Sequence, residues 1–152
     1  MKTENHSLMN EECLSWDECF ILDIEIIDNQ HLNQFDIFKK ILNVRECNYN
    51  YENMLFFLDE LEKQSTIHFK TEESLMLVAE YDEIELHNTQ HLYFLQQLQN
   101  FKNTFKYCNS KLIEQLHEFV RKWILNHIYV EDVKYAQTVK SYIIREIDNW
   151  VI

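Results

Sequence analysis

A chain of 152 residues, 46% hydrophobic and 14% aromatic, is long enough for a packed core and too apolar for a disordered segment. Glycine and proline are both absent, so tight β-hairpin turns that rely on positive-φ residues are disfavoured and long helices with short polar links are the natural alternative. The net charge of -12 argues against nucleic acid and an anionic membrane surface as partners, and no apolar run approaches the roughly 20 residues of a membrane span.

The N-terminus, with Glu4, Glu11 and Glu12 and no basic apolar start, does not read as a signal peptide, which makes the cytoplasm the default compartment. Cys13, Cys19, Cys47 and Cys108 contain no C-x-x-C pair and read as buried or half-buried thiols in a reducing compartment. Residues 1 to about 23 show no periodicity, with Trp16 and Phe20 as anchors to the core. Asp28 is a candidate cap for a first helix over about 24–46, which carries Ile27, His31, Gln34, Phe38 and Ile41 at three- and four-residue steps. Asn48-Tyr49-Asn50-Tyr51 breaks it, since asparagine favours turns and caps over helix interiors.

The second helix is expected over about 51–79, with an inner stripe of Met54, Leu58, Leu61, Ser65, His68, Glu72, Leu75 and Ala79. His68 and Glu72 occupy places where the stripe asks for aliphatic side chains. A link near Glu80-Tyr81-Asp82 leads to a third helix over about 83–107, whose seam is Ile84, His87, His91, Phe94, Leu98, Phe101 and Phe105. Asn109-Ser110 starts the fourth, with Ile113, Leu116, Val120, Trp123 and His127 inward. Beyond Asp132, the residues Tyr135, Val139, Tyr142, Ile143 and Ile147 form a further amphipathic stretch, which either prolongs the fourth helix or folds back on the others. No repeat or low-complexity linker marks a second domain. The expected fold is all-α: an up-down-up-down four-helix bundle with core about 24–134, an irregular N-terminal arm and a helical C-terminal extension over about 135–152.

In that topology the start of the first helix, the end of the second, the start of the third and the end of the fourth share one end of the bundle. At about 1.5 Å rise per residue, His31, His68, Glu72, His87, His91 and His127 lie within roughly two or three turns of that end. Asp132 departs from the periodicity, because five residues on a regular helix place it roughly 140° from His127. A wider turn of π type would bring its carboxylate back, and such turns often mark functional positions.

A single histidine on an apolar stripe is usually a core residue with a local hydrogen bond. Five histidines and two acids at one level are another matter, since each unpartnered buried polar group costs roughly 1–3 kcal/mol. Bound cations would satisfy them. Seven donors exceed a structural zinc site; imidazole suits zinc, copper, iron and nickel, and carboxylates can bridge two such ions. Five imidazoles, two bridging carboxylates and a bridging oxygen fill all but one position around two six-coordinate ions. A small molecule can take the last.

The pattern of His31 after Ile27-Asp28-Asn29-Gln30, then His68-x-x-x-Glu72-Glu73, His87-x-x-x-His91 and Trp123-x-x-x-His127-x-x-x-x-Asp132 resembles the hemerythrin family, especially its bacterial members, over about residues 16–135. The resemblance implies the same bundle and two iron ions (Fe2+/Fe3+) joined by an oxo or hydroxo bridge. One iron would be held by His87, His91 and His127, the other by His31 and His68, with Glu72 and Asp132 bridging and O2 binding at the two-histidine iron. It further implies that Phe69, Trp123, Ile124 and Ile128 line the O2 pocket and that Tyr135 stands behind the ligands. The function it implies is reversible O2 binding for storage, delivery or buffering, by a carrier rather than an enzyme, with nitric oxide or small anions as further ligands and a monomer favoured. The alternatives are a di-iron oxidase, or a protein of the wider group that senses or handles iron or nitric oxide. Oxidase sites on such bundles are richer in carboxylates than this one. The link Val78-Ala79-Glu80-Tyr81-Asp82 departs from relatives in lacking glycine and proline, and the segment after Tyr135 is longer than a minimal member needs. His6 and His117 match no ligand position and read as surface residues.

Overall fold

The computed structural model describes residues 20–45, 51–105 and 109–151. Its elements are α1 Glu25–Leu42, α2 Tyr51–Val78, α3 Ile84–Thr104, α4 Ser110–Trp123, a π-helical segment Ile124–Glu131, and α5 Asp132–Trp150. The last three follow one another without a break, so four rods form an up-down-up-down bundle whose fourth rod is the longest. None of the described helices is long and apolar enough to cross a membrane. The four cysteines, His6, Trp16 and the Asn48–Asn50 break lie outside the described residues.

α1 starts earlier than a cap at Asp28 requires. Its N-cap is Ile24, with no side-chain cap, and Asp28 lies in the first turn, where its Oδ1 accepts the Leu22 N–H at 2.8 Å. Burying Ile24 and Ile27 outweighs placing a polar cap, and a carboxylate in the first turn still meets the positive end of the helix dipole. In α2 the stripe holds through Glu72 and then steps by four to Met76, which is fully buried, while Leu75 is only partly so.

The α2–α3 link shows how a chain without glycine ends a helix. Glu80 takes the left-handed conformation, with φ 57°, the Tyr81 N–H donates to the Met76 carbonyl at 2.9 Å, and the Glu80 N–H donates to the Leu77 carbonyl at 3.2 Å. This is a Schellman ending with glutamate in the place glycine usually fills. α4 begins conventionally: the Asn109 side chain accepts the Leu112 N–H at 2.9 Å. The C-terminal stretch prolongs the fourth rod. Tyr135, Ala136 and Val139 are buried, Tyr142 and Ile143 partly so, and Ile147, the last of the amphipathic stretch, is 57% exposed.

His117 is not a surface residue. It is buried, and its Nε2 donates to the carbonyl of Ile41 at 3.0 Å, tying α4 to the last turn of α1. Burial pushes its pKa down, and the positive charges of Arg121 and Arg45 add to that. It follows Leu116 on the inner edge of the amphipathic face, where the periodicity alone does not separate core from rim.

The apolar interior falls into two clusters. One holds Phe35, Phe38, Leu58, Phe94, Leu98, Leu116, Val120 and Ile124, with Phe20 packed on Phe35 at a ring distance of 4.9 Å. The second is smaller and joins Leu22, Ile24 and Ile27 to Met76, Ala79, Tyr135, Ala136 and Val139. Polar side chains fill the space between.

Candidate metal centre

Each rod delivers its share of those polar side chains by helical spacing. His31 comes from α1, His68 and Glu72 from one face of α2, His87 and His91 from one face of α3, His127 from the π segment and Asp132 from the first turn of α5. All seven are buried, none more than 3% exposed. The π turn settles the odd spacing of the last two: the Asp132 N–H donates to the His127 carbonyl five residues back, which puts both side chains on the same side of the rod.

The carboxylates divide their oxygens between two sets of imidazoles. Glu72 Oε1 is 3.2 Å from His68 Nε2, while Oε2 is 3.0 Å from His91 Nε2 and 3.9 Å from His87 Nε2. Asp132 Oδ2 is 3.2 Å from His31 Nε2, while Oδ1 lies 3.1 Å from His127 Nε2 and 3.3 Å from His87 Nε2. The side chains thus form two adjoining donor groups, one of His31, His68, Glu72 and Asp132, the other of Glu72, His87, His91 and His127, each with donor atoms within 4.8 Å of one another.

These contacts are close without being hydrogen-bonded. The Nε2 atoms of His68, His87, His91 and His127, Glu72 Oε2 and both oxygens of Asp132 are buried with no hydrogen-bond partner. Lone pairs aimed at common points, at a cost of roughly 1–3 kcal/mol for each unsatisfied group, are what a site for cations requires. The donor set, imidazole with carboxylates able to bridge, fits two first-row transition ions.

Behind the rings a layer of acceptors holds their orientation. His68 Nδ1 donates to Gln30 Oε1 at 3.0 Å, His91 Nδ1 to Glu73 Oε1 at 3.1 Å, and His127 Nδ1 to Gln90 Oε1 at 2.7 Å. Gln30 is itself oriented, because its Nε2 donates to the Thr71 hydroxyl at 3.0 Å, which in turn donates to the Ile67 carbonyl at 3.0 Å. With the proton held on Nδ1, each of these rings presents a bare Nε2 to the centre. Gln30 and Glu73 stand in the sequence pattern with no role attached, and Gln90 falls within its His87-x-x-x-His91 stretch. Gln30 and Gln90 each adjoin a histidine and Glu73 adjoins Glu72, but which ring each one meets depends on the neighbouring helix.

Tyr135 is buried, and its hydroxyl donates to Glu72 Oε1 at 2.6 Å. Burial raises its pKa well above the ordinary value, and the charges of Glu72 and Asp132 add to the effect. For Glu72 burial alone would raise the pKa, yet His68, His87 and His91 together hold it well below the usual carboxylate range. Asp132 follows the same pattern: burial and the charge of Glu72 push upward, and His127 and His31 prevail. His87 is pulled down by burial, but Asp132 and Glu72 bring it up to about 9. For His127 burial prevails and the pKa falls.

Phe69 stacks on His91 with ring centroids 3.9 Å apart and planes 7° from parallel, and Trp123 stacks on His127 at 4.0 Å and 10°. Ile124 and Ile128 are buried in the larger apolar cluster beside them. Of the four residues expected to line a small-molecule pocket, Phe69 and Trp123 thus lie on rings of the three-histidine group, and Ile124 and Ile128 share their apolar cluster.

Residues 22–139 match the family model described as the hemerythrin HHE cation binding domain. The chain is 27% identical over 124 residues to a bacteriohemerythrin of Clostridium acetobutylicum, a match covering 79% of this chain and 96% of the relative. It is likewise 27% identical over 120 residues to myohemerythrin-1 of Phascolopsis gouldii, covering 79% and 89%. A crystal structure of wild-type hemerythrin superposes with a TM-score of 0.70 at 24% identity, over 82% of this chain and 96% of the other.

Proposed function

Because this chain belongs to the hemerythrin family, we propose that its buried centre holds two iron ions and binds O2 reversibly. The observation that carries this reading is the division of the carboxylate oxygens: Glu72 and Asp132 each turn one oxygen to a two-histidine group and the other to a three-histidine group. Two acids shared in this way, with five imidazoles around them, would hold two cations, and the group with fewer histidines would supply fewer donors, leaving room for a small molecule. Iron bound there would supply the reversible change of oxidation state that O2 attachment and release require.

The chain's own residues do the rest. His87, His91 and His127 would hold one ion and His31 and His68 the other, with Glu72 and Asp132 offering an oxygen to each. Gln30, Glu73 and Gln90 keep protons on the outer nitrogens so that the inner ones can donate. Tyr135 fixes one oxygen of Glu72 by hydrogen bond, limiting how far that bridge can swing. Phe69, Trp123, Ile124 and Ile128 exclude water and anions that would stabilise the oxidised state, which favours release over irreversible oxidation. A set dominated by nitrogen donors suits carriage better than the carboxylate-rich sites of bundle oxidases.

Metal analysis and visible spectra of the purified protein test this directly. The expected result is two irons per chain and a band that forms under air and bleaches under argon through repeated cycles. Conversion on first contact with air that argon does not reverse, with an oxidised product, would instead place the protein among the oxidases.

A further inference from the structure

The acceptors behind the imidazoles differ in charge. Gln30 and Gln90 offer neutral carboxamide oxygens to His68 and His127, whereas Glu73 offers a carboxylate to His91. A carboxamide orients a ring. A carboxylate does that and also places negative charge behind it, drawing the Nδ1 proton outward and making Nε2 a stronger donor. Glu72 and Glu73 are neighbours on α2, and successive residues on a helix point about 100° apart. One acid therefore faces the centre and the other reaches across to α3. His91 cannot turn away from it, because its ring lies flat on Phe69 at 3.9 Å.

We propose that Glu73 widens the difference between the two metal positions, strengthening the three-histidine group of His87, His91 and His127 so that it fills first and holds its ion more tightly than the His31–His68 group. The inference rests on the two-metal reading above. Glu73 is a positioning residue acting through His91; its side chain is 37% exposed, so the fold does not depend on it as on a core group.

Zinc serves as the probe, being free of redox chemistry. Titrated into the metal-free protein against a chromophoric chelator, it should fill the wild type in two resolved steps. Glu73→Gln keeps an acceptor but removes the charge, and should weaken the tighter step on the order of tenfold while leaving the looser one unchanged. Gln30→Ala should do the reverse. In the zinc-loaded protein, nitrogen chemical shifts of His91 should show Nδ1 protonated and displaced toward imidazolate in the wild type, and returned to the ordinary range in Glu73→Gln. Wild-type affinity and shifts in Glu73→Gln, with losses only in Glu73→Ala, would overturn the proposal by showing that orientation alone matters. Two equal steps in the wild type would overturn it as well. A wild-type protein that takes up no zinc would sink the two-metal reading and this inference together, whereas two equal steps would leave that reading standing.

Discussion

His68 and Asp132 each touch the centre with atoms that find no hydrogen-bond partner in the protein, yet they stand in different surroundings. His68 is aligned from behind by Gln30, whereas Asp132 faces His31, His87 and His127. Replacing either by alanine should remove metal and stability together, because binding to the folded state alone is folding free energy. The measured signs would be fewer than two irons per chain and a melting temperature that no longer responds to added metal; full occupancy in either variant would exclude that residue as a ligand. His117 makes a separate point. Its bond to the Ile41 carbonyl lies among apolar groups, so His117→Ala should cost about 1–3 kcal/mol in denaturant unfolding and leave metal content at two.

At the scale of elements, two departures from regular geometry shape the molecule. Glutamate in the left-handed conformation at Glu80 carries a strain of roughly 1–2 kcal/mol that glycine would not, partly offset by glycine's freer unfolded chain. Glu80→Gly should therefore raise stability by up to about 1 kcal/mol, read as a higher denaturant midpoint. The π segment accommodates one residue more than an α-helix needs between His127 and Asp132. Deleting Val130 would leave the two ligands four apart, on one face of an ordinary helix, and should preserve metal binding. Inserting an alanine after Val130 should turn Asp132 away and lose metal, which metal analysis of the two variants would show. Loss in the deletion variant would mean that the π geometry matters beyond register.

For the molecule as a whole, the centre sits between two apolar clusters, so charge placed there is poorly screened and its balance governs stability. Without metal the pH dependence has a definite sign. His87 is raised from 6.5 to about 9 in the fold, so its contribution is full below pH 6.5 and is lost as pH rises through about 9. His127 and His117 are lowered, so they weaken the fold as pH falls below 6.5. Glu72 and Asp132 lose their contribution at still lower pH, below their ordinary values of 4.5 and 3.8. Thermal unfolding of the metal-free protein should therefore show a maximum near pH 6.5 and a decline toward pH 9. With metal replacing the proton on His87, the loaded protein should lose that alkaline decline; the same decline in both forms would refute the account.

How much could be read without coordinates depends on the reach of helical spacing. Steps of three and four along one rod placed Met54, Leu58, Leu61, His68 and Glu72 on a single face, and His87 with His91 on another, because those relations are local and set by backbone geometry. The five-residue gap from His127 to Asp132 was legible as an anomaly for the same reason. Glycine's absence favoured helices but did not say that glutamate would close one. Relations between rods belong to the tertiary structure. That Gln30 meets His68, Gln90 meets His127 and Glu73 meets His91 depends on the height and rotation of neighbouring helices, which packing decides. Packing also drew His117 inward and left Ile147 exposed, since nothing in one helix's own periodicity says which of its residues its neighbours will cover.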